Sequence, residues 1–542
     1  MTDSSEYTTI KEGKAEILFP KTNNVFYNPV QEFNRDLTIA VITEFIKNYL
    51  KPKGIDAVEF CQDDKNVVNI DDNENQKNIA YPGIKTESGV SILEALSATG
   101  LRSVRFAKEL PGVKRIVAND LSNDAFLSIQ RNVLHNVVEN IVTPNVADAT
   151  IYMHQNRDKD SAFDIIDLDP YGSASAFLDA AVQATKHGGL LCVTCTDMAI
   201  LAGNFPEAAW AKYQSVPLKT KACHEQALRI VLGALSSHAA RYSRYIEPLL
   251  SVSVDFYVRI FVRVHYGASK VKSAASKQIC VYRCGGCSSF HCQHMLNVRE
   301  SGNNKVFYPG VGPAVDRKCS ECNHNHKIGG PFWGACLYDR SFVTQLLSSV
   351  KAFPNRFNTS ERIIGMLTMI DEELHDVPFY YVTDELSQVL RCSCPPTRVI
   401  RSAILNAGHK VSCFHGKTNA VKTDAPPSVI WDIMRKWGET QNIKREKLKD
   451  DSPAKAILEK APTSSNIDLT LRPDGELPRS FKTITRFPEM PANWGPKSKA
   501  KIAKDGSVEV SDSLKEKSKY YQGKRKRKQQ TVANDIKKVA AS

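Results

Sequence analysis

Residues Ser91–Asp120 read SILEALSATGLRSVRFAKELPGVKRIVAND. A short apolar run, a small-residue turn at Ser97–Gly100, a helical stretch and a second apolar run follow one another within thirty residues. The pattern repeats downstream. DAFLSIQRNVLHN is helical, and VADAT marks the end of a third strand. FDIIDLDP is a fourth strand ending in a polar turn. ASAFLDAAVQATKH is expected as a helix closed by Gly188-Gly189, and LLCVTCTD as the next strand. Strands alternating with helices at this rhythm predict an α/β fold with a doubly wound parallel sheet. SVSVDFYVRIFVRVHYG alternates long enough for a late strand pair. Upstream, Asn34–Leu50 has helical apolar spacing stopped by Lys51-Pro52. The first twenty residues are expected as a flexible lead-in, and the Asp/Asn-rich residues 61–80 as a surface loop.

Ligands of such sheets bind beyond the carboxyl ends of the strands. The first strand carries Glu94 near its tip and Gly100 in the turn, without a G-x-G-x-x-G fingerprint, so a dinucleotide site is poorly supported. Ser97–Gly100 instead lets backbone approach the amino-acid end of a nucleoside cofactor without a pyrophosphate; a plain strand–helix turn is the alternative. Asp120, twenty residues after Gly100, is placed to accept both ribose hydroxyls; a helix cap is the alternative. Asp148 is placed to accept from an adenine amino group, with Ala149 leaving room for the ring; a cap is again the alternative.

The fourth strand runs into Asp169-Pro170-Tyr171-Gly172. An acid, a proline and an aromatic at this point resemble the amino-methyltransferase motif, with one proline where that motif has two. An exocyclic amine conjugated to a purine is a poor nucleophile. A carboxylate at Asp169 can hydrogen-bond it, aim its lone pair at a methyl sulfonium and take up its proton. Tyr171 can stack on an extruded base, or it can be a core tyrosine in a capping turn.

With 542 residues and 42% hydrophobic content, at least two domains with sizeable cores are expected. No apolar run approaches the roughly 20 residues of a membrane span. The N-terminus resembles neither a secretory signal nor a mitochondrial presequence, so the chain is expected in cytosol or nucleus. The fourteen cysteines then read as thiols or metal ligands. Cys284-x-x-Cys287 and Cys319-x-x-Cys322 are two knuckles suited to a closed, structural Zn²⁺ site, with a 31-residue spacer longer than usual. Cys280, His291, Cys292, His294, His324 and His326 are nearby substitutes for a ligand. The net charge of +13 favours a polyanionic partner. Arg398, Arg401, His409, Lys410, Phe414, His415, Lys417 and Lys422 mix charge and aromatics as an RNA surface would, or form a solvated face. Lys497–Ser542 holds fourteen Lys/Arg against five Asp/Glu and reads as a disordered tail. Its GKRKRKQQ run (Gly523–Gln530) is expected as a nuclear localisation signal or a nonspecific RNA tail.

FYNPVQEFNRDLT (Phe26–Thr38), ALSATGLRSVRFAKE, ANDLS, DAT, DLDPYGSA, TCTDMAILAGN and HGKTNAVKTDAP together resemble the tRNA guanine-26 N2-dimethyltransferases, over most of residues 13–490. The resemblance implies a Rossmann-like class I methyltransferase domain over residues 1–275. It further implies a mixed α/β, zinc-containing, tRNA-binding domain over 276–490, and the basic tail spans 491–542. By the same resemblance Arg35, Arg102, Asp120, Asp148 and Ala149 contact S-adenosylmethionine, and Asp169 handles the guanine N2 proton. From its position alone Arg35 is equally a surface residue at a helix start. Arg102, beside Gly100, is the better placed of the two arginines for a cofactor carboxylate. A monomer is expected, although no residue pattern fixes the oligomeric state. The rival readings are a purine amino-methyltransferase for ribosomal RNA or DNA, and a noncatalytic zinc-containing RNA-binding protein.

Overall fold

The computed structural model describes residues 7–20, 28, 31–59, 78–302, 304–441, 443–463 and 467–475, with the short strands Ala500–Ile502 and Val508–Val510. Most of the expected loop 61–80, most of the tail, and the basic run at 523–530 lie outside these residues.

The centre is a seven-stranded sheet. Its strands are β1 (Lys85–Glu94), β2 (Val113–Asp120), β3 (Val142–Val146), β4 (Phe163–Leu168), β5 (Thr185–Cys195), β6 (Arg244–Val254) and β7 (Tyr257–Tyr266), in the order 3-2-1-4-5-7-6. The first five are parallel; the apolar runs of β1, β2, β4 and β5 are buried, whereas the edge strand β3 buries only Val142. The late strand pair is an antiparallel hairpin added to β5 through β7. Helices α1 (Glu32–Leu50), α2 (Leu101–Glu109), α3 (Asn123–His135), α4 (Ala149–Gln155), α5 (Leu178–Ala184) and α6 (Cys223–Ala240) belong to the same half.

Two expectations need correction. Residues Tyr7–Glu12 and Ala15–Pro20 form an antiparallel hairpin rather than a flexible lead-in. Ala15, Ile17 and Phe19 alternate into the core, and buried Glu12 accepts from both Arg35 and Arg105. The helix before β5 stops at Ala184, and Thr185–Gly189 belong to the strand.

The second half contributes a three-stranded antiparallel sheet of β8 (Gln278–Cys284), β9 (Phe290–His294) and β10 (His326–Trp333), in the order 9-8-10. Helices α7 (Arg340–Ala352) and α8 (Ser360–Asp371) pack on α1. One buried cluster runs from the large sheet through Ile279, Phe332 and Trp333 to Phe342, Val343 and Phe414. A fully buried carboxylate, Glu225 on α6, joins the halves. It accepts from Arg229 (2.6 Å), from Lys422 Nζ (2.9 Å) and from the amide of Phe379 (2.7 Å). Among the described residues no helix is long and apolar enough to cross a membrane.

Candidate active site

The ends of β1, β2 and β3 are stitched together by Asn119. Its amide donates to the carbonyls of Ala95 (3.0 Å) and Ala147 (3.1 Å) and accepts from Asn145 (2.6 Å). Asp120 follows at the tip of β2. One of its oxygens accepts from the Ala98 amide at 2.9 Å and the other from Ser122 N at 3.0 Å. The carboxylate thereby holds the turn after β1 in an uncommon shape. Ala98 has φ +49° and Gly100 φ +77°. A Cβ at Gly100 would also meet Ile129 at 3.3 Å, so the turn requires glycine there. A non-glycine residue held at positive φ beside polar strand ends is strain of the kind that persists at ligand sites.

Asp148 does cap α4, accepting from Thr150 N (2.8 Å) and Ile151 N (3.0 Å). Both bonds fall on Oδ1, so capping and ligand binding through Oδ2 are compatible. Ala149 is buried directly behind it.

Asp169 lies just past β4, its side chain 26% exposed. Arg102 on α2 donates Nη2 to Asp169 and Nη1 to Asp167 (3.2 Å). Arg259 on β7 holds Asp167 from the other side through both terminal nitrogens, at 2.8 and 3.0 Å. Burial pushes the Asp169 carboxyl up, but the Arg102 and Arg259 guanidiniums, with hydrogen bonds from Arg102 and Thr194, outweigh it and hold the group below the ordinary aspartate value. Asp169 is therefore an ionised acceptor at neutral pH. Fully buried Glu94 behaves oppositely. Burial, reinforced by Asp167, pushes it up to about 7 against the pull of Arg102 and Ser103. Arg259 was not singled out in the sequence. An arginine amid the apolar residues of YVRIFVRV, which also holds Arg263, was the available signal.

The turn carrying Asp169 is fastened to the turn after β5. Gly172 N donates to Thr196 Oγ1 (2.8 Å), and Thr196 N donates back to Gly172 O (2.7 Å). Ser173 and Asp197 share the hydroxyl of Tyr213 at 2.7 and 2.8 Å. Tyr171, in the same turn, is 74% exposed, which discards the core-tyrosine reading. Arg35 is buried on α1 rather than on the surface, and its guanidinium pairs with Glu12.

Cys284, Cys287, Cys319 and Cys322 converge, all buried, with their sulfurs within 4.8 Å of one another. Cys284 and Cys322 approach to 3.3 Å, and Cys287 and Cys319 to 3.6 Å. Four sulfurs about 2.3 Å from one tetrahedral ion stand about 3.8 Å apart, so the set suits Zn²⁺ and leaves no open position. The long spacer is taken up by β9 and by the hairpin Leu296–Ser301/Asn304–Pro309. Among the described residues none of the six nearby Cys and His substitutes joins the four.

The basic cluster of the second half does not form one RNA surface. Lys422 is buried on Glu225, His415 on Glu373, and Arg401 on the Gly475 carbonyl, while Phe414 is core. Arg398 and Lys410 are exposed. The partnering carboxylates come from distant segments, which is why local spacing mistook structural cations for a surface.

The profile of the N2,N2-dimethylguanosine tRNA methyltransferase family matches residues 6–435. The chain is 46% identical to a Homo sapiens tRNA (guanine(26)-N(2))-dimethyltransferase, over 97% of this chain and 82% of that one. It is 44% identical to the Schizosaccharomyces pombe enzyme of the same name, covering 92% and 93%. Its fold is similar to that of Trm1 from Pyrococcus horikoshii in complex with S-adenosyl-L-methionine, with TM-score 0.61 and 28% identity over 79% of this chain and 99% of that one.

Proposed function

Since this chain belongs to the N2,N2-dimethylguanosine tRNA methyltransferase family, we propose that it transfers methyl groups from S-adenosylmethionine to the exocyclic N2 of guanine 26 in tRNA, giving N2,N2-dimethylguanosine. The observation that carries the reading is Asp169, paired with Arg102 just past β4 and partly exposed in the same turn as exposed Tyr171. Mass spectrometry of nucleosides from tRNA incubated with the protein and S-adenosylmethionine tests it. N2,N2-dimethylguanosine is expected, and its absence with an intact cofactor would overturn the reading.

S-adenosylmethionine, when bound, supplies the electrophilic methyl group. The residues at the strand ends suit it. Asp120 would accept the ribose hydroxyls, Asp148 Oδ2 the adenine amino group, and Ala149 would border the ring. Arg102 would reach the amino-acid end through Nε, which is buried without a hydrogen-bond partner. Arg35 would act near the same end, oriented by Glu12. Asp169 holds the guanine amine by a hydrogen bond and takes its proton once the carbon–nitrogen bond has formed. A carboxylate held this acidic is a weak base, but an alkylated guanine amine is far more acidic still, so the transfer runs downhill. Tyr171 stacks on the extruded base. Asp120→Ala should weaken S-adenosylmethionine binding about tenfold to a hundredfold, the loss of roughly 1.5–3 kcal/mol from charge-assisted hydrogen bonds. Unchanged calorimetric affinity would remove Asp120 from the site.

Residues 1–275 are assigned the chemistry, and 276–490 tRNA binding and one structural Zn²⁺ on the four cysteines. The chain is taken to act as a monomer. The tail 491–542 is assigned nuclear targeting through Lys524–Lys528. Deleting that run should shift a tagged protein from nucleus to cytoplasm with catalysis nearly intact. Undiminished nuclear accumulation would refute the signal.

A further inference from the structure

Helix α1 crosses one face of the sheet, and two contacts fix its height. Near its end, Tyr49 donates to Asp164, the second residue of β4, at 2.9 Å. Further toward its start, the Thr38 hydroxyl takes Arg259 Nη2 at 3.0 Å, and the same nitrogen holds Asp167. The amino end of α1 therefore points toward the carboxyl ends of the parallel strands. One helical turn above Thr38, about 5.4 Å, stands Asn34. Two residues along the chain from Asp167, at most about 6.6 Å further, stands Asp169, just past β4. Asn34 is thus about level with Asp169, one turn from the Thr38 that meets Arg259.

Asn34 is wholly buried, yet neither Oδ1 nor Nδ2 has a hydrogen-bond partner. An enclosed primary amide with both ends unsatisfied costs folding free energy, and native chains rarely leave one. The Nε atoms of Arg102 and Arg259, on the side chains that frame Asp167, are buried and unsatisfied as well. Unspent donors and an acceptor on elements that meet around Asp167 match a ligand that carries both a negative and a positive group.

We propose that Asn34 is a positioning residue for the amino-acid end of S-adenosylmethionine, its Nδ2 donating to the carboxylate beside Arg102 Nε and its Oδ1 accepting from the ammonium. This rests on the methyltransferase reading above. Because α1 also holds Thr38 against Arg259, binding at Asn34 ties the methyl donor to the frame that sets Asp169.

The test is calorimetric. Asn34→Ala should weaken S-adenosylmethionine and S-adenosylhomocysteine about tenfold to a hundredfold. It should leave 5′-methylthioadenosine, which lacks the amino-acid end, unchanged. Asn34→Leu, of similar size, should show the same selectivity and also raise the melting temperature of the protein without added ligand, since it removes an unsatisfied buried amide. A purely structural asparagine predicts the reverse: a lowered melting temperature and equal losses for all three ligands. Equal losses, or none, with a wild type that binds all three would overturn the assignment of Asn34 alone. A wild type that binds none of them would overturn it together with the methyltransferase reading.

Discussion

Asp169→Ala should lose about 10²–10⁴ of the methyl-transfer rate, the range contributed by a positioned acid–base group. Folding should survive, because Arg102 keeps Asp167 and the turn keeps its bonds to Thr196 and Tyr213. Cofactor affinity should change little, since Asp120, Asp148 and Asn34 lie on other elements. Asp169→Asn separates two roles. An amide oxygen can still accept from Arg102 and from the guanine amine but cannot take a proton. If the proton departs after the methyl group has transferred, it can leave to water, and Asn should retain far more activity than Ala. The acidity imposed by Arg102 and Arg259 adds a pH signature. A carboxyl held below its ordinary value of about 3.9 stays ionised above that pH and protonates only as pH falls through its lower folded value, so it should impose no inflection between pH 5 and 8. Single-turnover methyl transfer to tRNA at saturating cofactor compares wild type with the Asn and Ala variants. An Ala variant at the wild-type rate would make Asp169 a turn residue only.

Removing the metal ligands should have the second large effect. Wild-type protein should carry about one zinc per chain, and Cys284→Ser/Cys319→Ser should carry none. The four cysteines share a buried cluster with Tyr381, Trp431 and Met434, and Trp431 donates to Ser289 two residues beyond Cys287. Losing the ion would leave that cluster without its centre. Several kcal/mol of a total stability of about 5–15 kcal/mol should disappear, seen as a much lower melting temperature. Elemental analysis that finds no zinc in a natively melting, active wild type would exclude the site.

The alternation of strands and helices could be read early because the inner parallel strands β1, β2, β4 and β5 carry buried apolar runs. The polar residues at the strand tips, Asp120, Asp148 and Asp169, stood out against those runs. The paired knuckles were equally visible, since ligand spacing survives any spacer. What escaped reading was set by partners distant in sequence. Glu12 looked like part of a polar lead-in until Arg35 and Arg105 closed on it. Lys422 and His415 looked like surface cations because Glu225 and Glu373 are 197 and 42 residues away. Asn34 carried no signal at all, because an unsatisfied amide becomes visible only once every neighbour is in place.

The Glu225 junction sets how this chain can be divided or inherited. The carboxylate belongs to α6, but its partners Lys422 and Phe379 lie beyond residue 275. Cutting the chain there would take away two of the carboxylate's three partners, leaving only Arg229, and lay open the apolar faces of Ile279 and Trp333. The first half is therefore no portable module that a genome could fuse to a different RNA reader. A substitution at Glu225 on one side therefore has to be matched around Lys422 and Phe379 on the other.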